Sequence, residues 1–465
     1  MATSHSTSTG TPPLQRSPSS NQPPILSSDS NGSKQDPPKM TFEEEITASI
    51  QDKLHAMDLP AETFESSIFR IPDVLRRHNE NAFMPKVVSI GPFHHENMQL
   101  REMEKTKLLY LNCFISRTGT EELQCLLKAV GSIKEVRLEL YEGLGVISKQ
   151  VFFEMMVIDG CFILEFLCRN LENMMDDPVF QNSWMPRKII ADLLLLENQL
   201  PWCILDLLCN LVLPSLKTIN QCCYGLNDLV SFSFHKYRMF PSSACNDEKH
   251  KYKHKHLLDC FRNYLVGSCT IPRPDCSVPS EWNPVGLTVT ELLDSGVCFY
   301  KAEVGDHSIL DVKFEDGKMK MPAIFIEENT ESVLRNLIAF EHCDPSKGYE
   351  ITSYAALLDY LIKSPADALH LQQKHILHSG LSNEDTASFL NRLLHNGTSL
   401  CGFLYSDLCK SVNDFKSTPL RRYQATLRRD YFKDPSAVFT LVFGIAFTLF
   451  LGILQTIFTI LSYFK

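Results

Sequence analysis

From Ala437 to Phe464 no side chain carries a charge, and Leu, Ile, Val and Phe dominate. A helix needs about 20 residues to cross the hydrocarbon core, so this run can span it with some tilt. A core helix of that length in a soluble domain would show a polar stripe; here the polar groups are Gln455 and scattered Thr and Ser. The sequence therefore predicts one transmembrane helix over 437–463. Arg421, Arg422, Arg428, Arg429 and Lys433 precede the run and Lys465 alone follows it. Basic flanks stay in the cytosol, which puts the N-terminal side there. A single-pass, tail-anchored protein of the plasma membrane or an endomembrane is expected. Gly444, Thr448 and Gly452 recur four apart within the span, a spacing that lets two helices approach closely. They form a candidate helix-association face.

Two other apolar stretches fail the same test. Val151 to Leu167 contains Glu154, Asp159 and Glu165, and Ile189 to Leu213 contains Asp192, Glu197, Pro201 and Asp206. A mid-bilayer Asp costs about 2.5–3.5 kcal/mol, so both read as core helices of a soluble domain. A buried carboxylate must be paired or protonated; for Asp159 the candidate partners are Arg70, Arg76 and Arg187. Glu197 and Arg335 raise the same question, and a structural ion pair is the expected answer.

A chain of 465 residues exceeds the span of one ordinary core, about 250–300 residues. Residues 1–40 are more than half Ser, Thr, Pro and Gly, too polar to offset their ordering entropy. They read as a disordered tail, although the acid-poor composition also fits a plastid transit peptide. No apolar signal-peptide core is present. Residues 41–430 form the expected helical domain, with a subdomain boundary near 215–250. The 16 cysteines are scattered, many in apolar runs, with no C-x-x-C pair; they read as free thiols of a reducing compartment. The formal charge of −10 argues against nucleic acid, and the one basic cluster, His250 to His256, is local.

The fold class expected is mainly α (α+β). Thr41 precedes Glu43, Glu44 and Glu45 as an N-cap would. From Asn97, the residues Leu100, Met103, Leu108, Leu111 and Ile115 repeat at helical spacing. Further helices are predicted near 121–142, 148–170, 187–211, 252–265, 330–341, 352–371 and 383–395. The β signal is one antiparallel hairpin about Asp316-Gly317. It pairs Phe314 with Met319, Val312 with Met321 and Leu310 with Ala323, and sets Glu315 opposite Lys318.

Several blocks resemble the plant domain of unknown function 247 family: IFRIPDVLRRHNENAFMPKVVSIGPFHH, MEKTKLLYL, MMVIDGCFILEFL, DLLLLENQLPWCIL, TELLDSGVCF, TESVLRNLIAFEHC and RRDYFKDPSAV. They recur in order from about residue 45 to the C-terminus. Glu96 stands where the family usually has Gly, and Asp434 and Ser436 where Asn and Trp usually flank the Pro before the span. The resemblance implies a membrane-attached plant protein with no established activity. Members are linked genetically to recognition, including self-incompatibility in grasses, which tilts expectation toward partner binding.

The most ligand-like cluster is His94, His95 and Glu96, but adjacent residues rarely converge on one metal and no H-E-x-x-H spacing exists. These three are the weak catalytic candidates; after Gly91-Pro92 they otherwise read as turn residues bonded to a neighbouring element. His250, His254 and His256 read as a solvated, Lys-rich helix start. No P-loop, G-x-G-x-x-G or G-x-S-x-G is present, and no cofactor or metal is expected. The leading expectation is a non-enzymatic recognition or signalling module. Its expected partners are a membrane and another protein, a family paralogue being one candidate, with homo-oligomers through the span and no nucleic acid. The alternatives are a tethered hydrolase or transferase using His94, His95 and Glu96, and an anionic-lipid regulator using Arg421 to Lys433.

Overall fold

The computed structural model describes residues 42–56, 66–119, 123–133, 138–219, 225–236, 253–267, 269–272, 287–303, 308–394, 402–417 and 435–463. The expected tail 1–40, the Thr41 cap, His250 and the basic run Arg421, Arg422, Arg428, Arg429 and Lys433 lie outside them. Two compact units result, Met1–Thr63 and Phe64–Lys465. The described part of the first is a helix, α1 (Phe42–Ala56).

The second unit is built largely from helices: α2 (Arg101–Thr118), α3 (Leu123–Gly131), α4 (Lys149–Glu172), α5 (Met185–Asp192), α6 (Trp202–Ile219), α7 (Leu226–Lys236) and α8 (Leu257–Gly267). After the strands come α9 (Thr330–Cys343), α10 (Glu350–Leu361), α11 (Pro365–Gln373), α12 (Asn383–Leu393), α13 (Ser406–Ser417) and α14 (Pro435–Tyr463). One apolar core runs from Ile68 to Val412.

The helix α4 is the axis of that core. The Ser148 hydroxyl caps it by accepting from Val151 N–H, and Asn173 ends it in the left-handed conformation at φ 56°. Buried residues occupy nearly every direction around it, as a central helix requires. The core-helix reading of 151–167 holds. In α2 the buried face is Met103, Lys107, Tyr110 and Phe114, whereas Leu108 is exposed. The stripe read through Leu108 is therefore displaced, and a lysine occupies a core position.

The helix expected over 187–211 is two helices. It breaks at Leu193–Pro201 because side chains capture the carbonyls that a continuing helix would bond. The Asn198 amide donates to Asp192 O at 2.9 Å, and the Gln199 amide donates to Leu193 O and Leu195 O at 2.7 Å each. Pro201 then has no N–H to offer. Likewise 352–371 breaks before Pro365, where Ser364 and Asp367 form a capping box. The 121–142 expectation is met over Leu123–Gly131 among the described residues.

The hairpin forms with the expected turn. β2 (Lys313–Glu315) pairs antiparallel with β3 (Lys318–Met321), Phe314 opposite Met319 and Glu315 opposite Lys318. Asp316 and Gly317 have φ of 49° and 76°, both left-handed as such a turn demands. The further pairs Val312–Met321 and Leu310–Ala323 do not form, because Val312 N–H folds back onto Leu310 O at 2.8 Å. A strand that periodicity did not show, β1 (Cys298–Lys301), runs parallel to β3 on its other side. A separate parallel pair joins β4 (Ile324–Ile326) to β5 (Leu377–Ser379).

Among the described residues, α14 contains one stretch, Val442–Tyr463, long and apolar enough to cross a membrane. Thr448 and Thr456 hydroxyls donate to Gly444 O and Gly452 O at 2.9 and 2.8 Å. The hydroxyls are satisfied within the helix, as an apolar surrounding requires.

Candidate functional site

The segment Lys86–Gly91 belongs to no helix or sheet, so its backbone donors need side-chain partners. Lys86, Val87 and Val88 N–H donate to the Asp192 carboxylate at 2.7–3.0 Å. Ile90 N–H donates to Asn198 Oδ1 at 2.6 Å, and Gly91 N–H to Asp159 Oδ2 at 2.8 Å. Burial pushes Asp192 up to about 6, against the lowering effect of those three amides. Gly91 sits at φ +70°, and a Cβ there would lie 2.6 Å from Gln199 O. Glycine is required on both counts.

This arrangement sets one wall of a 570 Å³ cavity lined by Ser89, His95, Glu96, Asn97, Met98, Leu100, Arg101, Glu104 and Val146 to Ser148, with Val151. Beneath it the Lys107 ammonium lies 2.7 Å from both Asp159 Oδ1 and Glu104 Oε1. It also donates to Ser89 Oγ at 3.5 Å. Burial alone would lower the Lys107 pKa, but Asp159 and Glu104 together hold it above the ordinary lysine value. Serine beside lysine resembles a nucleophile with its base. A lysine fixed as a cation cannot accept the serine proton, so the pair is structural. Glu104 is pinned through Oε1, and no described residue bonds its Oε2. Around it Met98, Val146 and Val151 expose apolar surface, Val146 completely.

The three residues expected as a cluster part company. His95 and Glu96 are exposed on the cavity rim, while His94 is buried. His94 Nε2 lies 3.7 Å from Glu197 Oε2 and makes no hydrogen bond among the described residues. Burial holds its pKa below 6.5, so the ring is neutral at pH 7. Glu197 is occupied by Ile71 N–H at 2.9 Å and Arg76 at 2.5 Å, the ion pair anticipated for it. Arg335 is likewise paired, with Glu331 at 2.8 Å.

Asp159 takes none of the arginines proposed for it: its partner is Lys107, and Arg187 pairs with Glu327 at 3.0 Å. The signal that could have found Lys107 was its place between Met103 and Tyr110 on the buried face of α2. His256 also departs from expectation: it is fully buried, edge-on to Phe340 at 4.9 Å. His254, half-buried, packs against Trp202 at 4.8 Å. Among the described residues no group of three or more His, Cys, Asp or Glu is placed to hold a metal. Gly444, Thr448 and Gly452 are exposed along α14.

A family described as plant protein of unknown function matches residues 68–450 of this chain. The chain is 28% identical over 425 residues to UPF0481 protein At3g47200 of Arabidopsis thaliana, covering 85% of this chain and 86% of that one. It is 22% identical over 440 residues to Putative UPF0481 protein At3g02645 of the same plant, with coverage of 74% and 80%. No solved structure matches.

Proposed function

The chain belongs to the plant domain of unknown function 247 family, and we propose that it is a non-enzymatic recognition module, held at a membrane by α14. The observation that carries this reading is the 570 Å³ cavity, which combines an exposed apolar wall at Met98, Val146 and Val151 with one fixed, half-free carboxylate, Glu104. Exposed apolar surface rimmed by charge marks an interaction site. A carboxylate with one open oxygen selects a hydrogen-bond donor or a basic side chain from the segment that docks there. The occupant is a protein segment with a basic residue flanked by apolar ones, presented by another protein such as a family paralogue.

The membrane part rests on composition. The run Val442–Tyr463 is long and apolar enough to cross, and the basic residues Arg421 to Lys433 before it favour a cytosolic domain. A single-pass, tail-anchored protein follows on this reading. Confinement to one membrane raises the effective concentration of a co-resident partner. The tethered-enzyme alternative needs His94, His95 and Glu96 to converge, and His94 is turned into the core.

Proximity labelling in plant cells tests the reading. Wild type should label a defined set of neighbours that the double variant Glu104→Ala, Val146→Asp loses while remaining at the same membrane. An unchanged set would refute recognition through this cavity.

A further inference from the structure

A second cavity, of 110 Å³, lies beneath β4, where α8, α9, α10 and α12 close around it. Phe261, Leu265, Leu337, Leu358 and Phe389 supply an apolar wall. The polar groups at its mouth are engaged: Glu327 with Arg187, and Asn329 Oδ1 with Lys188. Tyr354 also lines the cavity; the residue is 3% exposed, and no described residue hydrogen-bonds its hydroxyl, which solvent can reach. A hydroxyl with no protein partner is left to bond a water or a ligand that enters the cavity.

We propose that this cavity binds a small, uncharged and mainly apolar molecule, the size of one six-membered ring, whose single acceptor oxygen takes the Tyr354 hydroxyl proton in a hydrogen bond. Size follows from the volume, since an apolar cavity of about 150 Å³ accommodates benzene and this one also opens at its mouth. Neutrality follows from the lining, whose described residues include no Lys or Arg to compensate a carboxylate or phosphate. A ketone, ester or lactone carbonyl meets both conditions. The site is separate from the recognition cavity and does not depend on that reading.

The test uses the full chain in detergent micelles with two rings of similar shape, cyclohexanone and methylcyclohexane, followed by saturation-transfer NMR against empty micelles. Cyclohexanone should receive saturation above the micelle background. Tyr354→Phe should weaken cyclohexanone by about two- to tenfold, the worth of one hydrogen bond, and leave methylcyclohexane unchanged. Leu337→Trp should fill the cavity and abolish both signals. Leu334→Phe, at a half-buried position, is a second filling variant should the first misfold by near-UV circular dichroism. Neither ring exceeding background would mean a cavity holding water only and would overturn the proposal. So would binding that survives filling, or cyclohexanone binding indifferent to Tyr354→Phe.

Discussion

The Lys107 ammonium lies 2.7 Å from the Asp159 carboxylate, and both side chains are almost completely sealed from solvent between α2 and α4. Removing one partner leaves a buried, uncompensated charge, which typically costs about 3–5 kcal/mol. Lys107→Met should therefore destabilise the protein by about that amount. Lys107→Met combined with Asp159→Asn should be less damaging than the two single costs summed, as coupled residues require. Denaturant unfolding of the four proteins measures this cycle, and simple additivity would show that the pair does not interact.

Gly91→Ala tests the turn that carries the cavity wall. The added Cβ meets Gln199 O at 2.6 Å in a backbone at φ +70°, so the carbonyl or the turn must shift. A loss of about 1–3 kcal/mol is expected from left-handed strain alone, with more from the contact. A melting temperature equal to wild type would contradict the geometry.

Acid should expose the buried imidazole of His256. Its pKa is lowered to about 4, chiefly by burial, with Lys347 and Lys255 acting the same way and Asp259 and Asp344 against them. A depressed histidine contributes stability that is present above its unfolded value, about 6.5, and is lost as pH falls toward 4. The full effect is on the order of 3 kcal/mol. Asp192, raised to about 6, acts oppositely over the same window, so the wild-type profile alone does not isolate the histidine. His256→Phe should lose less stability than wild type between pH 7 and 4, seen by denaturant unfolding. Parallel profiles would contradict the assignment.

Gly444, Thr448 and Gly452 are exposed along α14, and if that helix spans a membrane as proposed, they are the face a second copy would approach. Successive positions four apart drift about 40° around a helix, so only this central stretch can face one partner. Changing both glycines to Leu should abolish self-association in a membrane two-hybrid assay. An unchanged signal would remove the span as an association element.

Local signals were legible in the sequence, and long-range ones were not. Asp316-Gly317 fixed its hairpin because a two-residue turn with two left-handed positions leaves one register. The charges in Val151–Leu167 separated a core helix from a span because ionised groups are costly in hydrocarbon. The break at Leu193–Pro201 escaped periodicity, which counts apolar positions and not the side-chain amides of Asn198 and Gln199 that take over backbone carbonyls. The partner of Asp159 escaped because it lies on another helix, and charge alone favoured three arginines. His95 and Glu96 reach the cavity rim, but its carboxylate anchor, Glu104, looked like any exposed residue of an amphipathic helix.

Complementation of a null plant tests recognition against catalysis most directly, with the folding of each variant checked by thermal melt. Three variants are compared: a chain ending at Lys433, the double variant Met98→Asp, Val146→Asp, and the rim variant His95→Ala, Glu96→Ala. Recognition at a membrane predicts failure of the first two, which lose avidity and the apolar wall. It predicts rescue by the third, because rim charges contribute little to an interface. Rescue by the chain ending at Lys433, together with failure of a folded His95→Ala, Glu96→Ala protein, would contradict the account and favour a soluble-substrate enzyme.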